Sequence, residues 1–299
     1  MIDYRNIIRN REFRLQLTRL FRFVPDKLYL KLVYRMKTGR KLNLKNPKGF
    51  NEKLQWLKLY DKHPEYTDFA DKVKVREHIK SVLGEGYTFP LLGTWNSIDD
   101  IDFSTLPDRF VLKCNHDSGS VKIIHDKSSL TDADKKELSR FFRRRLKLNP
   151  YYAGREYPYR DIHPCILAEP LMAGENEDIR DYKFFCFDGK PELLFIVSGR
   201  FSEKHEDYYD MDFNHLPEIT NGSTDSGVTM EKPAFFEEMK MLAAKLSQGI
   251  SQVRMDFYEI NGKIYFGEYT FYGAGGFLLF EPEEWEQRLG DMIKLPNKD

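Results

Sequence analysis

Cysteine, long apolar runs and an amino-terminal leader are scarce or absent here, and each absence removes a class of protein. The three cysteines, Cys114, Cys165 and Cys186, are far apart and have no CxxC spacing. Three apolar or half-buried thiols are therefore a better interpretation than a disulfide framework or a cysteine zinc site. No apolar run approaches the ~20 residues that a membrane-spanning helix needs. Residues 1–5 lead into no signal-peptide apolar segment, which favours a cytoplasmic protein.

The common phosphate-binding signatures are also missing. The sequence contains neither G-x-x-x-x-G-K-[ST] nor G-x-G-x-x-G, so a P-loop or a Rossmann dinucleotide site is not indicated. The seven histidines are scattered, and no Ser-His-Asp or Cys-His arrangement is legible. The sequence therefore indicates no covalent nucleophile.

Charge is balanced overall but unevenly distributed. Residues 1–50 hold fourteen Lys or Arg against three acids, a net charge of +11, so the remaining 249 residues carry −11. A basic end on an acidic body favours an anionic partner such as a lipid surface, a polyanionic glycan or nucleic acid. The alternative is a solvated helix face that docks on the acidic body. Nucleic acid is the least favoured partner, because the basic segment lacks interleaved base-stacking motifs.

Predicted helices come first along the chain, and predicted strands follow. Helical periodicity and capping residues predict helices over 5–23, from 25–26 to near Gly39, from an N-cap at Asn51, and over 67–82, 131–148 and 234–248. Short apolar runs predict strands at 87–92, 110–113, 121–125, 166–168, 182–187, 193–198, 253–258 and 264–269. Asp188-Gly189 and Asn261-Gly262 predict hairpin turns. The polar segment 201–231 predicts a long loop or lid. This order predicts an α+β fold with antiparallel sheets.

The last predicted hairpin carries two acids in apolar surroundings. The turn at 261–262 places Asp256 opposite Glu268 or one step along. Facing carboxylates repel and have raised pKa values unless a cation lies between them. Bound Mg²⁺ would remove this conflict, and the alternative is that both side chains point to solvent on opposite faces. The apolar setting and the glycine-rich run 273–276 favour the metal.

Three other segments place charged residues in or beside strands. The apolar strand that reaches Lys113 leads into Ser118-Gly119-Ser120, whose backbone amides suit a phosphate. Taken alone, an ordinary hairpin turn with an extended lysine explains that segment better. Glu169 is either a solvated strand end or part of a hinge that reads an adenine edge. Lys183 interrupts another apolar strand.

Together these segments resemble the ATP-grasp superfamily, and specifically the TupA-like ATP-grasp family, named for teichuronopeptide biosynthesis. The resemblance covers about residues 45–280 and rests on the segments 50–61, 70–77, 110–119, 166–171, 181–190 and 254–276. It implies an ATP-grasp fold, in which two α+β lobes with antiparallel sheets clamp ATP, preceded here by a helical, basic N-terminal region. The domain organisation it implies is 1–50 for that region, 51–105 for a pre-ATP-grasp segment, 106–168 for the N-lobe and 169–299 for the C-lobe.

The resemblance also implies roles for individual residues. Lys72 and Lys113 match lysines that contact ATP phosphates, and loop 116–120, with Ser118, Gly119 and Ser120, matches a flap over the triphosphate. Glu169 and Leu171 match the hinge at the adenine, and Lys183 matches a basic position near the nucleotide or acceptor. Asp256, Glu268 and Thr270 match Mg²⁺ ligands, although the superfamily usually has Asn where this chain has Thr270. Arg254 matches the arginine that steadies the acyl-phosphate, and the glycines after Thr270 match a loop that holds the acceptor.

The activity that the resemblance implies is amide formation driven by ATP and Mg²⁺. A carboxylate would accept the γ-phosphate, and an amine would then displace phosphate from the acyl-phosphate. The family name suggests uronic-acid or amino-acid units of a cell-surface polysaccharide as substrate. The basic residues 1–50 fit an anionic glycan, or a lipid-linked glycan precursor at an anionic membrane on the inner face of the cell. The alternatives are an ATP-grasp kinase, a glycosyltransferase of polysaccharide biosynthesis and a non-catalytic glycan-binding protein.

Overall fold

Helices dominate the first part of the chain and strands the second. The computed structural model describes residues 17–172, 179–199 and 204–297. The α-helices are α1 (Asp26–Thr38), α2 (Phe50–Tyr60), α3 (Glu65–Ala70), α4 (Val75–Leu83), α5 (Asp132–Arg145), α6 (Tyr151–Gly154), α7 (Phe236–Leu246) and α8 (Glu284–Met292). The strands are β1 (Gly93–Trp95), β2 (Phe110–Cys114), β3 (Val121–Ile124), β4 (Ile166–Pro170), β5 (Asp181–Phe187), β6 (Lys190–Ser198), β7 (His205–Tyr209), β8 (Val253–Ile260) and β9 (Lys263–Thr270). The helix predicted over 5–23 falls largely outside the described residues.

Two antiparallel sheets organise the fold. One has four strands in the order β1-β4-β2-β3, and the other has five in the order β7-β6-β5-β8-β9. Every pair of neighbouring strands in both sheets is antiparallel. The α+β class with antiparallel sheets, predicted from the order of elements, is therefore confirmed.

The chain divides into two compact units that interleave along the sequence. The first unit takes its residues from Met1–Pro25, His63–Glu77 and Phe89–Asn176, and it holds the four-stranded sheet. The second unit takes its residues from Asp26–Lys62, His78–Thr88 and Glu177–Asp299, and it holds the five-stranded sheet. The division at residues 50, 105 and 168 stays a prediction.

In the first unit, α5 covers the four-stranded sheet. Thr131 caps the helix, because its hydroxyl accepts from the Asp134 amide while the Asp134 carboxylate accepts from the Thr131 amide. Leu138 and Phe142 are buried against Phe110 and Ile166 of the sheet. Each such side chain contributes roughly 1.5–3 kcal/mol by leaving water.

In the second unit, the central strand β5 is buried at every position. The strand has a neighbouring strand on each side, and α7 packs against the sheet, which accounts for this burial. The rings of Phe184 on β5 and Phe236 on α7 lie 6.0 Å apart. Phe50 of α2 packs edge-on against Phe185 at 6.1 Å and Phe280 at 6.0 Å. Helix α2 is thus joined by aromatic contacts to this core.

Both predicted hairpin turns are present. Asp188 and Gly189 have φ of 48° and 78°, and Asn261 and Gly262 have φ of 53° and 70°. Positive φ at both central residues gives the twist that adjoining strands require, and these residue pairs adopt it at low cost. The turns fix the registers of β5–β6 and β8–β9.

Two predictions around the helices are wrong. The helix predicted over 67–82 is two helices, α3 and α4, because the Asp71 carboxylate accepts from the Val73 and Lys74 amides and interrupts the helical ladder. Asn51 is not an N-cap. It lies inside α2, whose N-cap is Gly49, and its side chain bonds to Leu278 instead.

Two predictions around the strands are also wrong. Residues 87–92 form no strand: Pro90 has no amide to donate, and the carbonyl of Phe89 accepts from the Arg76 guanidinium at 2.8 Å. The strand begins later, at Gly93. The long loop predicted over 201–231 contains β7, which pairs with β6.

Candidate nucleotide site

In the first unit, Lys72 and the glycine-containing loop after β2 lie together. The backbone amide of Lys72 donates to the carbonyl of Asn115 at 3.2 Å, and its ammonium donates to the carbonyl of Asp117 at 2.7 Å. Ser118 and Gly119 are exposed at the tip of this loop, and Gly119 has φ of 87°. Two of the positions predicted to meet a phosphate, Lys72 and loop 116–120, are therefore neighbours.

Ser120 differs from the other two residues of the predicted flap. It is buried, and its hydroxyl donates to the Asp117 carboxylate at 2.5 Å. Its carbonyl accepts from the Cys114 amide, which closes the β2–β3 hairpin. Ser120 therefore holds the base of the loop, whereas Ser118 and Gly119 are exposed to solvent.

Buried polar residues that the sequence did not single out support this loop. The amide nitrogen of Asn115 donates to Asp71 and to the carbonyl of His163, both at 3.0 Å, and its oxygen accepts from Cys165. Arg145 of α5 donates to the carbonyl of Gly119 at 3.4 Å and lies 3.7 Å from the Asp117 carboxylate. The loop is anchored from three separate segments.

Lys113 and Glu169 form an ion pair on neighbouring strands. The ammonium of Lys113 lies 2.5 Å from the carboxylate of Glu169, and the Arg76 guanidinium lies 3.5 Å from the same carboxylate. Glu169 has a side chain only 10% exposed, while Lys113 is 21% exposed. Burial lowers the pKa of Arg76, although the Glu169 charge opposes the shift. Glu169 therefore gathers two cations near the end of β4 and is not a solvated strand end.

Leu171 follows β4, where an adenine hinge was predicted. Its amide already donates to the carbonyl of Arg109 at 3.3 Å. If this residue reads an adenine edge, the group left for that purpose is its carbonyl oxygen, which accepts a hydrogen bond.

In the second unit, charged side chains on β5 and β8 form a compact buried cluster. Lys183 pairs in register with Asp256 across the two strands, and its ammonium contacts Asp256 and, at 2.7 Å, Asp181. The guanidinium of Arg254 donates two hydrogen bonds of 2.7 Å to the carboxylate of Asp256. Burial acts to raise the pKa of Asp256, but the charges of Arg254 and Lys183 outweigh it and hold that pKa below its ordinary value.

Glu268 and Thr270 lie on β9, beside this cluster. Asp256 pairs in register with Glu268, as predicted from the hairpin turn. The Glu268 side chain is 37% exposed, 3.8 Å from Arg254 and 3.5 Å from the Thr270 hydroxyl. The Thr270 hydroxyl also accepts from Arg254 at 3.1 Å. Arg254 thus touches all three residues that were predicted to bind Mg²⁺.

The oxygen donors of this cluster fit Mg²⁺, although two cationic side chains already contact the carboxylate of Asp256. Its oxygens already accept from Arg254 and Lys183, so the repulsion expected between two facing carboxylates is relieved by side chains of the protein. The cluster nevertheless joins three carboxylates, Asp181, Asp256 and Glu268, to only two cations, which leaves one net negative charge. Oxygen donors with surplus negative charge suit Mg²⁺, which fills its other positions with phosphate and water. Glu268 is the accessible member of the set.

Helix α2 holds the glycine-rich loop that follows β9. Asn51, Gln55 and Lys58 occupy one face of α2 at spacings of four and three residues. Asn51 donates to the Leu278 carbonyl, Gln55 to the Gly276 carbonyl and Lys58 to the Gly275 carbonyl, each at 2.6 Å. Lys58 is only 1% exposed, and its ammonium also reaches the oxygen of Gln55 at 3.0 Å. The segment 50–61 therefore positions the loop 275–278, a link that its helical periodicity alone did not reveal.

Two antiparallel sheets in an α+β chain agree with the ATP-grasp fold that the sequence resemblance implies. The model of the TupA-like ATP-grasp family matches residues 52–294. Because the match spans well over half of the chain, the chain belongs to the TupA-like ATP-grasp family.

Solved structures of ATP-grasp ligases are similar at low sequence identity. A D-alanine–D-alanine ligase from Helicobacter pylori is 15% identical, with 83% of this chain and 71% of that chain covered and a TM-score of 0.46. The enzyme from Bacillus anthracis complexed with ATP is 16% identical, with 84% and 68% covered and a TM-score of 0.41. The ATP-grasp ligase PsnB complexed with a minimal precursor, Mg and ADP is 12% identical, with 82% and 66% covered and a TM-score of 0.43. No curated relative matches the sequence.

Membrane-crossing segments were also sought among the described residues. Within 17–172, 179–199 and 204–297, no helix has both the length and the apolar character that would let it cross a bilayer.

Proposed function

We propose that this protein is an ATP-dependent carboxylate–amine ligase that works through an acyl-phosphate. A substrate carboxylate oxygen attacks the γ-phosphorus of ATP, and the bond from that phosphorus to the bridging oxygen breaks, releasing ADP. An amine nitrogen then attacks the acyl carbon, the bond to phosphate breaks, and the amine loses a proton as the amide forms. Family membership and the absence of a legible nucleophile in the sequence support this route over a covalent enzyme intermediate.

Residues of each unit have proposed roles of their own. Lys72 and Lys113 would neutralise phosphate oxygens, and the backbone of the exposed loop residues Ser118 and Gly119 would orient them. Glu169 and Leu171 would border the adenine. Asp256, Glu268 and Thr270 would hold Mg²⁺, which supplies charge neutralisation at the phosphoryl oxygens.

The observation that carries this proposal is the position of Arg254. Its guanidinium grips Asp256 at 2.7 Å, contacts Thr270 at 3.1 Å and lies 3.8 Å from Glu268. The charges of the cluster fix it in place: burial works to lower the pKa of Arg254, but Asp256 and Glu268 raise it well above its ordinary value. A permanently charged, planar donor beside the metal ligands suits the stabilisation of an acyl-phosphate.

The proposed substrate is a uronic-acid or amino-acid unit of a cell-surface polysaccharide, joined to an amine or amino acid. The family name and the net +11 of residues 1–50 support an anionic glycan or a lipid-linked precursor.

The exposed surface of helix α1 supports binding of the protein to an anionic membrane that carries such a precursor. Leu28, Leu32 and Met36 recur every four residues and are 51%, 54% and 65% exposed. Each of these apolar residues directly follows a basic residue: Lys27, Lys31 or Arg35. The helix therefore carries an apolar stripe beside a basic stripe. Vesicles containing phosphatidylserine should co-sediment the protein more strongly than phosphatidylcholine vesicles, and L28S/L32S should abolish the difference. M241S, which removes a side chain 62% exposed on α7, is the matched control.

The activity test is ADP release with Mg²⁺ and a panel of uronic acids and amino acids. A productive pair should release ADP and yield an amide. Glu268→Gln should lower the rate at least a hundredfold by removing the accessible metal ligand. Lys113→Met should also slow it, while Lys122→Met should not, since Lys122 lies on β3 and pairs with the exposed Glu137.

The outcomes separate the rival functions. A stable phosphoester in place of an amide would identify a kinase, and turnover of a nucleotide-sugar would identify a glycosyltransferase. Glycan binding without Mg²⁺-dependent ATP binding would identify a non-catalytic protein. Full ADP release by Glu268→Gln would overturn the metal assignment.

A further inference from the structure

A second group of potential metal ligands lies in the second unit, on β7 and the segment that follows it. Asp207, His215 and Asp225 each place one carboxylate oxygen or ring nitrogen within 4.8 Å of the others. None of these three residues belongs to the cluster around Asp256. Strand β7 is the outer strand of its sheet, and an isolated bridge between Tyr209 and His215 brings the following segment back beside it.

Asp207 is a buried carboxylate with one oxygen unused. It is 0% exposed and pairs in register with Ile196 of β6. One oxygen, Oδ1, accepts from the Ser226 amide at 2.7 Å. The other, Oδ2, has no hydrogen-bond partner among the described residues. A buried carboxylate oxygen that has neither a hydrogen-bond donor nor a cation beside it costs folding free energy. A bound ligand at this oxygen would remove that cost.

His215 is oriented so that one ring nitrogen faces the acids. Its Nδ1 lies 3.1 Å from the Thr229 hydroxyl, and its Nε2 lies 2.8 Å from Oδ2 of Asp225. The ring stacks on Tyr209, with centroids 5.0 Å apart and planes inclined by 22°. Asp225 is fixed in the same manner, because its Oδ1 accepts from the Gly227 amide at 2.7 Å.

In each of the three residues one polar atom is held by the surrounding protein. The second atoms of His215 and Asp225 contact each other, and that of Asp207 has no hydrogen-bond partner among the described residues. Outer hydrogen bonds of this kind orient the ligands of metal sites. An imidazole with two carboxylates suits a divalent transition metal better than Mg²⁺, which prefers oxygen alone. The Asp225 side chain is 18% exposed, which gives an ion access to the group.

We propose that Asp207, His215 and Asp225 form a binding site for one divalent transition-metal ion, with Zn²⁺ as the best fit. The ion would take the place of the direct contact between His215 and Asp225 and would engage the unused oxygen of Asp207. It would tie the segment 210–229 to the edge of the five-stranded sheet. This site is separate from the proposed nucleotide chemistry and does not depend on it.

The test is metal content and Zn²⁺ titration of the chelator-treated full-length chain without nucleotide. We expect about one high-affinity Zn²⁺ per wild-type chain, no such ion in Asp207→Asn or Asp225→Asn, and a rise in Tm with added Zn²⁺ in the wild type alone. Co²⁺ in place of Zn²⁺ should give visible ligand-field absorption that His215→Gln removes.

Two controls make the result decisive. His125→Gln removes an exposed histidine and should leave binding unchanged, which excludes nonspecific binding to surface imidazoles. The Glu268→Gln variant should bind Zn²⁺ as the wild type does, even if it no longer releases ADP. Failure of the zinc-site proposal can therefore be distinguished from failure of the ligase proposal. Absence of Zn²⁺, Co²⁺ and Mn²⁺ binding in the wild type, or equal binding by folded Asp225→Asn, would overturn the site.

Discussion

The ammonium of Lys113 forms an ion pair with the carboxylate of Glu169 across two neighbouring strands, at 2.5 Å. This pair is mostly shielded from solvent, and Arg76 approaches the same carboxylate at 3.5 Å. The carboxylate that was expected to border a nucleotide base is thus the centre of a cationic group, and its charge sets how firmly Lys113 is held.

Removing both partners of this pair should cost less than the two single removals added together. Lys113→Met leaves the Glu169 carboxylate with only the longer contact to Arg76, and we expect a loss of about 1–3 kcal/mol in the free energy of unfolding. Lys113→Met/Glu169→Gln should lose less than the sum of the two single variants. Urea unfolding of all four proteins measures the coupling. Additive losses would show that the pair contributes nothing beyond its separate groups.

Asp256 and Glu268 face each other but should respond differently to loss of charge. Asp256→Asn removes the carboxylate that holds the buried Arg254 and leaves Lys183 with Asp181 alone, so the free energy of unfolding should fall by about 3 kcal/mol or more. Glu268→Gln removes a carboxylate whose contacts are long and whose side chain is 37% exposed, so the change should stay within about 0.5 kcal/mol. Thermal and urea unfolding without nucleotide compare them. Equal destabilisation would contradict the difference in burial.

Gly276 should be sensitive to a single added methyl group. A Cβ there would lie 2.5 Å from the side-chain nitrogen of Gln55, and Gly276 has φ of 68°. Gly84→Ala is a matched control, because Gly84 has φ of 91° with nothing within 4 Å. We expect Gly84→Ala to cost about 1 kcal/mol through backbone strain alone, and Gly276→Ala to cost more.

The same substitution should slow the proposed ligase reaction, since it displaces the loop that α2 holds. Gln55→Ala/Gly276→Ala should lose less stability than the sum of the two single variants, because the double variant no longer has the clash with the Gln55 side chain. Denaturant unfolding gives the stability, and ADP release gives the rate. Identical losses for the two glycine variants would show that the contact with Gln55 is unimportant.

Acid should destabilise the protein partly through His116. Burial lowers the pKa of His116 from its ordinary value of 6.5, and burial also lowers that of His78. As the pH falls below 6.5, the unfolded chain binds a proton before the folded chain does, so the free energy of unfolding decreases until the lowered pKa is passed. His116→Gln should flatten this dependence, while His125→Gln, at an exposed position, should preserve it. Urea unfolding between pH 7 and pH 5 measures both slopes, and an unchanged slope in His116→Gln would refute the assignment.

The two hairpin turns, which depend on residues adjacent in the sequence, were predicted correctly. The turns at 188–189 and 261–262 came from residue pairs with a strong preference for positive φ, and the second turn placed Asp256 opposite Glu268. The strand predicted at 87–92 failed because a distant guanidinium, that of Arg76, takes the carbonyl of Phe89. Propensity does not report such long-range partners.

The sequence indicated which charged residues of the buried cluster share a face within one strand. Asp181 and Lys183 are two residues apart on one strand, as are Arg254 and Asp256, so each pair shares a face. The pairing of β5 with β8, which joins the two halves, connects residues 73 positions apart. No periodicity within either strand specifies that neighbour. Lys183, Arg254 and Asp256 were therefore named from the sequence, whereas Asp181 and the mutual neutralisation of these side chains were not.

The interleaving of the two units along the chain has a consequence for synthesis. The second unit begins at Asp26, yet α2 binds a loop near residue 276, so its early helices stay without their partners until nearly the whole polypeptide has left the ribosome. The first unit has all of its segments by Asn176 and can condense earlier. Truncation from the carboxyl end should therefore expose the apolar face of α2 and produce insoluble protein rather than a smaller working domain.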